Sequence, residues 1–176
     1  TAALAAMGIC TKINMVPMYV AMGFSQGVMP FISYNYSSGD HKRMRGALSF
    51  SIKIVEVMLV LSAAAMFFFA GPLVRAFIGD QETVAYGARF LRGFCLAQPF
   101  LALDFLCVGV FQAVGMGREA LVLAILRKAV FEIPLLYLLN RFFPLYGLPY
   151  AQAVTECVMA AIAVGLVVRF LGRLKK

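Results

Sequence analysis

Long apolar stretches, broken by short clusters of Gly, Pro, Ser and charged residues, make up nearly all of this 176-residue chain. Five of them reach the roughly 20 residues that an α-helix needs to cross a bilayer core of about 30 Å. They run over residues 2–36, 44–70, 84–114, 118–140 and 147–170. The clusters between them are Ser37-Ser38-Gly39-Asp40-His41, the segment from Gly71-Pro72 to Glu82, Gly115-Met116-Gly117, and Arg141 to Tyr146. These residue types end helices and make turns. Barrel strands alternate apolar and polar residues in segments of about 10, and the unbroken apolar runs do not, so a transmembrane β-barrel is excluded. The pattern predicts an all-α, polytopic transmembrane bundle of about five spanning helices in one membrane domain covering residues 1–176.

Composition supports lipid as the solvent. Hydrophobic residues are 62% of the chain and charged residues 14%, against about half and a quarter in soluble domains. The net charge of +8 would suggest nucleic acid in a soluble protein. Here the basic residues lie between apolar runs, Trp is absent and no nucleic-acid motif occurs, so no nucleic-acid partner is expected. Cys10, Cys95, Cys107 and Cys157 all fall inside apolar runs without CxxC spacing, which predicts small core residues and neither disulfides nor a metal site.

The charges also predict an orientation, because cytoplasmic loops are enriched in Lys and Arg. Lys42, Arg43, Arg45, Arg118, Arg169, Arg173, Lys175 and Lys176 belong to one side, and Arg75, Arg89, Arg92 and Arg141 to the other, with Asp80 and Glu82 beside them. The expectation is a multi-pass protein of the inner or plasma membrane with its C-terminus in the cytoplasm. Starting at Thr1 with no leader ahead of it, the chain is expected to be a piece of a longer protein.

On a helical wheel the first run gathers Met7, Thr11, Asn14, Met15, Met18, Met22, Ser25, Met29 and Ser33 into one sector about 100° wide. A flexible, polarizable Met surface with a few polar groups can adapt to many lipophilic cations; the same residues can equally fill a helix interface. Gly23 and Gly27 form a GxxxG pair suited to close helix approach, while Pro17 and Pro30 can kink the run. Asp104 lies deep in the third run without a basic residue three or four positions away. A lone carboxylate there is costly, so it is either a neutral, hydrogen-bonded acid or a site for a cation or proton. Lys53 with Glu56, and Lys128 with Glu132, have the spacing of intrahelical pairs, whereas Glu156 lacks one. Asn35-Tyr36-Ser37 matches a glycosylation acceptor on the side assigned to the cytoplasm, so the match counts as chance. His41 alone builds no metal site. No P-loop, HExxH, nucleophile elbow or dinucleotide fingerprint occurs, so neither an enzyme nor a cofactor is expected.

Gly23-Phe24-Ser25-Gln26-Gly27-Val28-Met29-Pro30, then Tyr34-Asn35-Tyr36 and His41-Lys42-Arg43, closely resemble the eighth helix and following loop of bacterial multidrug and toxic compound extrusion (MATE) transporters. Phe111-Gln112-Ala113-Val114-Gly115 resembles the end of the family's tenth helix, Arg127 with Ile133-Pro134-Leu135 its eleventh, and Gly147 suits the opening of its twelfth. Ser37-Ser38 stands where the family usually has Gly-Ala. The resemblance implies one lobe of a two-lobe, twelve-helix antiporter, partnered by the N-terminal lobe and the bilayer, that exports organic cations in exchange for H⁺ or Na⁺. The soft, polar face of the first run makes Asn14, Met15, Met18, Met22, Ser25 and Gln26 the expected substrate pathway, and isolation in an apolar run makes Asp104 the candidate for cation coupling. A sodium-coupled branch of the family has a cation-binding carboxylate on the tenth helix, about a turn away from Asp104. Rival readings are a lipid-linked oligosaccharide flippase of the same architecture and a non-transporting membrane subunit or remnant.

Overall fold

The structure, a computed structural model, describes residues 2–143 and 147–174. Their order is α1 (Ala2–Ser37), α2 (His41–Phe68), α3 (Ala70–Arg75), α4 (Gln81–Cys95), α5 (Gln98–Ala113), α6 (Gly117–Ile125), a π-helical segment (Leu126–Glu132), α7 (Ile133–Phe142) and α8 (Gly147–Arg173). No strand occurs among the described residues, and the all-α bundle expected from the hydropathy pattern is what forms. Helices α1, α2 and α8 are each long and apolar enough to cross a membrane, and α4 with α5 makes a fourth candidate span bent by 46°.

Three departures from the sequence expectation have local causes. The run 84–114 is broken after Cys95, because Pro99 in the first turn of α5 lacks an N–H and its ring crowds the carbonyl four residues back. The run 118–140 is divided by the π segment just ahead of Pro134; its widened turn lets the Ile133 N–H bond the carbonyl of Lys128, five residues back. None of its three pieces alone is of spanning length. The segment expected to be a loop after Gly71 holds the short helix α3, which carries Gly71, Pro72 and Arg75. By contrast α1 runs through both Pro17 and Pro30.

Turn chemistry fixes the ends. Gly39 (φ 77°) and Gly115 (φ 80°) take the left-handed backbone that lets α1 and α5 reverse. Asp40 caps α2 by accepting the Arg43 N–H at 2.9 Å, and Asp80 caps α4 by accepting the Thr83 N–H at 2.9 Å and its hydroxyl at 2.6 Å. The Thr83 hydroxyl and amide hold the Asp80 carboxyl below the ordinary carboxylate range.

The core is stacked along the bundle. One end joins Ala6, Cys10, Ala70, Val74, Phe90 and Phe94; the middle joins Ala21, Val55, Leu59, Leu101 and Leu106; the far end joins Ile32, Met44, Leu48, Val110, Leu123, Met159 and Val167. Tyr34, Phe50, Leu61, Phe68, Tyr137 and Val168 are left exposed, as a lipid-facing exterior requires. Three cysteines are buried as expected, with Cys10 Sγ donating to the Gly87 carbonyl at 3.1 Å, but Cys157 is exposed on α8.

Charge is segregated by end. Arg45 donates to the Leu171 carbonyl, and the Tyr36 and Phe170 rings lie 6.1 Å apart, so the α1–α2 turn meets the end of α8. Met116, Glu119, Arg169 and Arg173 line one cavity there. Arg89, Arg92, Leu139 and Phe143 share another cavity at the opposite end. Lys175, Lys176 and the turn residues 144–146, part of the sequence assignment, lie outside the described residues.

Candidate functional site

Charges inside a membrane protein must find partners, because isolated ions in a low dielectric are costly. Three of them meet at mid-bundle. Arg127, on the π segment, sends Nη1 to Asp104 Oδ2 of α5 at 3.1 Å and Nη2 to Glu156 Oε1 of α8. Both acids are 1% exposed. The guanidinium also lies over the Phe105 ring, 5.0 Å from its centroid, a cation–π contact on the same helix as Asp104. Asp104 is thus not the isolated carboxylate its sequence neighbourhood suggested, and Glu156 has a partner from another helix. The remaining oxygens, Asp104 Oδ1 and Glu156 Oε2, together with the neighbouring Thr155 Oγ1, are buried with no hydrogen-bond partner.

Beside this cluster is a cavity of about 280 Å³ whose lining includes Asn14, Met15, Met18, Arg127, Glu132 and Glu156. Lys128 also lines it and pairs with Glu132 at 2.7 Å, the intrahelical pair expected from their spacing. With Asp104, Glu132 and Glu156 all ionised, these acids outnumber Arg127 and Lys128 by one negative charge. The chemistry offered is a small polar and charged wall facing soft methionine surface, with spare carboxylate oxygens behind it.

The Met-rich sector of α1 divides between three roles. Asn14, Met15 and Met18 face the cavity, and the Gln98 Nε2 donates to Asn14 Oδ1 at 3.4 Å. Ser25 is buried and donates to the Phe105 carbonyl at 2.9 Å, joining α1 to α5. Met22 and Gln26 lie on the exposed side of α1. Gly23 and Gly27, expected to mark a close helix contact, have open space where a Cβ would stand; the close approach to α1 is made by Gly109, whose Cβ would fall 2.5 Å from Ser25 Oγ. No ion pair joins Lys53 to Glu56 among the described residues: Lys53 is exposed and Glu56 Oε2 is buried without a partner. Asn35 is 1% exposed within α1 and donates to the Phe31 carbonyl at 2.7 Å, a placement that bars glycosylation. No group of three metal-ligating side chains occurs among the described residues.

Sequence reasoning overlooked Arg127 as the organiser of the site. A signal was available: once Lys128 is matched with Glu132, Arg127, Asp104 and Glu156 are left as unpaired charges in three different runs, and mutual compensation is their cheapest arrangement.

The MatE family model matches residues 1–138. The chain is 30% identical over 169 residues to the multidrug export protein MepA of Staphylococcus aureus (strain MSSA476), covering 95% of this chain and 37% of that protein. The corresponding MepA of Staphylococcus saprophyticus gives the same 30% over 169 residues. Among solved structures, an outward-facing multidrug resistance MATE family transporter of the MOP superfamily superposes with a TM-score of 0.93 at 18% identity, over 99% of this chain and 40% of that one. The MATE multidrug transporter DinF-BH gives 0.83 at 25% identity, over 92% and 36%. The chain therefore spans a little over a third of the length of the relatives it matches.

Proposed function

The chain belongs to the MatE family, and on that footing we propose that it is one lobe of a secondary active multidrug exporter that moves organic cations against H⁺ or Na⁺ by alternating access. The observation that carries this reading is the cavity that sets Asn14, Met15 and Met18 opposite Arg127 and Glu156, with Asp104 behind. A lipophilic cation gains from soft apolar walls and from the net negative charge. A proton or sodium ion arriving at Asp104 Oδ1 or Glu156 Oε2 removes that negative charge and favours release of the drug, which is the differential interaction that coupling needs. Met22 and Gln26, on the exposed side of α1, are assigned to the same pathway; Ser25, buried and bonded to the Phe105 carbonyl, is a packing residue instead. No organic cofactor enters this mechanism.

The test is Asp104→Asn in the intact transporter reconstituted into liposomes. Asn keeps the shape and an oxygen for Arg127 but never carries charge. The variant is expected to fold and bind a cationic dye, yet accumulate it at least about 100-fold more slowly under an imposed ion gradient, on the scale of roughly 3 kcal/mol of lost coupling. Export near the parental rate would end the coupling role.

Orientation is part of the proposal, with the Lys- and Arg-rich end in the cytoplasm. In a background with the exposed Cys157 changed to Ala, a cysteine at Gln81 is expected to react with an impermeant thiol reagent applied outside cells, and one at Asp40 to be protected. The reverse pattern would invert the orientation.

A further inference from the structure

Building on the coupling site proposed above, we infer that Arg127 is a resident counter-cation: between transport events its guanidinium holds the carboxylates that a transported cation needs, and loading proceeds by exchanging one for the other.

The geometry supports exchange over a fixed structural pair. Arg127 divides its two Nη groups between acids on two different helices, Asp104 of α5 and Glu156 of α8, and its third face lies on Phe105. It makes no second bond to either acid, because Asp104 Oδ1, Glu156 Oε2 and its own Nε are all without partners. Arg–carboxylate pairs are frequently bidentate, with both fork positions on one acid; here the fork is split between two. The Arg127 side chain is 13% exposed while those of Asp104 and Glu156 are 2% and 1%. Arg127 and Glu156 both line the cavity, and Asp104 lies outside its lining, bonded to Arg127.

Charge balance gives exchange its direction. With both acids ionised and Arg127 withdrawn, two negative charges would stand uncompensated in a low dielectric, a state that costs several kcal/mol per ion. A cation entering as Arg127 leaves keeps the balance, so the site is never empty of positive charge. The other charges on the cavity are Lys128 and Glu132, which pair with each other; α1 contributes Thr11, Asn14, Met15 and Met18 and no ionisable group. The π segment supplies a means of withdrawal. It holds an extra residue per turn relative to α6 and α7 on either side, and tightening it to an α-helix would rotate Arg127 by about 100° relative to α7.

The experiment is equilibrium binding of tetraphenylphosphonium to the purified intact transporter in alkaline, sodium-free buffer. If Arg127 leaves the carboxylates free in about a tenth of molecules, Arg127→Gln is expected to bind the probe roughly tenfold more tightly than the parent. Arg127→Lys, which keeps the charge without the fork, should tighten binding by a smaller factor and serves as the readout should the Gln variant fail to fold. The double variant Asp104→Asn/Glu156→Gln should lose binding. Unchanged or weaker binding in the Arg127 variants, with loss in the double variant, overturns the counter-cation and leaves the coupling site standing. Parental binding in the double variant removes the coupling site, and the counter-cation with it.

Discussion

Gly147→Val is expected to destabilise the protein by about 3 kcal/mol, toward the upper end of what overpacking costs. A Cβ at Gly147 would stand 2.8 Å from the backbone N of Asn140, 2.9 Å from its Cα and 3.0 Å from the carbonyl carbon of Leu139. All three are main-chain atoms of α7, so no rotamer change relieves the clash and the helix itself must move. That movement would loosen α7 from α8 and with them the two elements that carry Arg127 and Glu156. Thermal unfolding of the purified transporter in detergent measures the effect. Gly165→Val on the same helix is the control, since nothing lies within 4 Å of its Cβ, and its change should stay within about 0.5 kcal/mol. Equal melting temperatures for the two variants would mean that α7 and α8 do not approach at Gly147.

The glycines also show what a sequence can reveal. Gly147 was legible as the opening of the last helix, because a turn cluster precedes it and an apolar run follows. The Gly23–Gly27 pair was legible as a motif, but no described residue of this chain approaches it, since spacing on one helix says nothing about which neighbour comes near. Gly109 makes the close approach to α1 and has no partner glycine four residues away. Helices α1, α2 and α8 follow the hydropathy pattern to within a few residues because lipid exposure and helix length impose one signal along their whole length. The breaks at Pro99 and before Pro134 lie inside equally apolar sequence. They depend on the proline ring meeting a carbonyl four residues back, a local effect that a hydropathy window averages away.

Site residues divide in a similar way. Asn14, Met15 and Met18 could be found because one helix face holds them, and a wheel needs only the helical period. Asp104 stood out as a charge in an apolar run. The other two members of its cluster, Arg127 and Glu156, are distant in sequence and lie on two other elements, so only the packing of α5, α8 and the π segment reveals that the acid is compensated. The segregation of charge by end needs only a count of turns, and Arg45, which meets Leu171 at one end, and Arg89 and Arg92, which share a cavity with Phe143 at the other, follow it.

The largest loss of stability is expected from Arg127→Leu. Removing it leaves Asp104 and Glu156, both 1% exposed, without the cation they share, and breaking a buried ion pair by deleting one partner costs about 3–5 kcal/mol. Part of the loss is recovered if the acids take up protons, which costs less than keeping two bare charges in the bundle. Adding Asp104→Leu and Glu156→Met removes the stranded carboxylates altogether. Well-packed apolar residues in place of a buried ionic triad are often neutral or stabilising, so the triple variant should regain most of the melting temperature lost by Arg127→Leu while being inactive in gradient-driven export. The Lys128–Glu132 pair supplies the contrast: Lys128 has a 67% exposed side chain, and Lys128→Gln should shift stability by no more than about 1 kcal/mol. A triple variant no more stable than Arg127→Leu would show that the ions hold these elements together by specific bonds that packing cannot replace. Recovery would show instead that their high cost is maintained for transport.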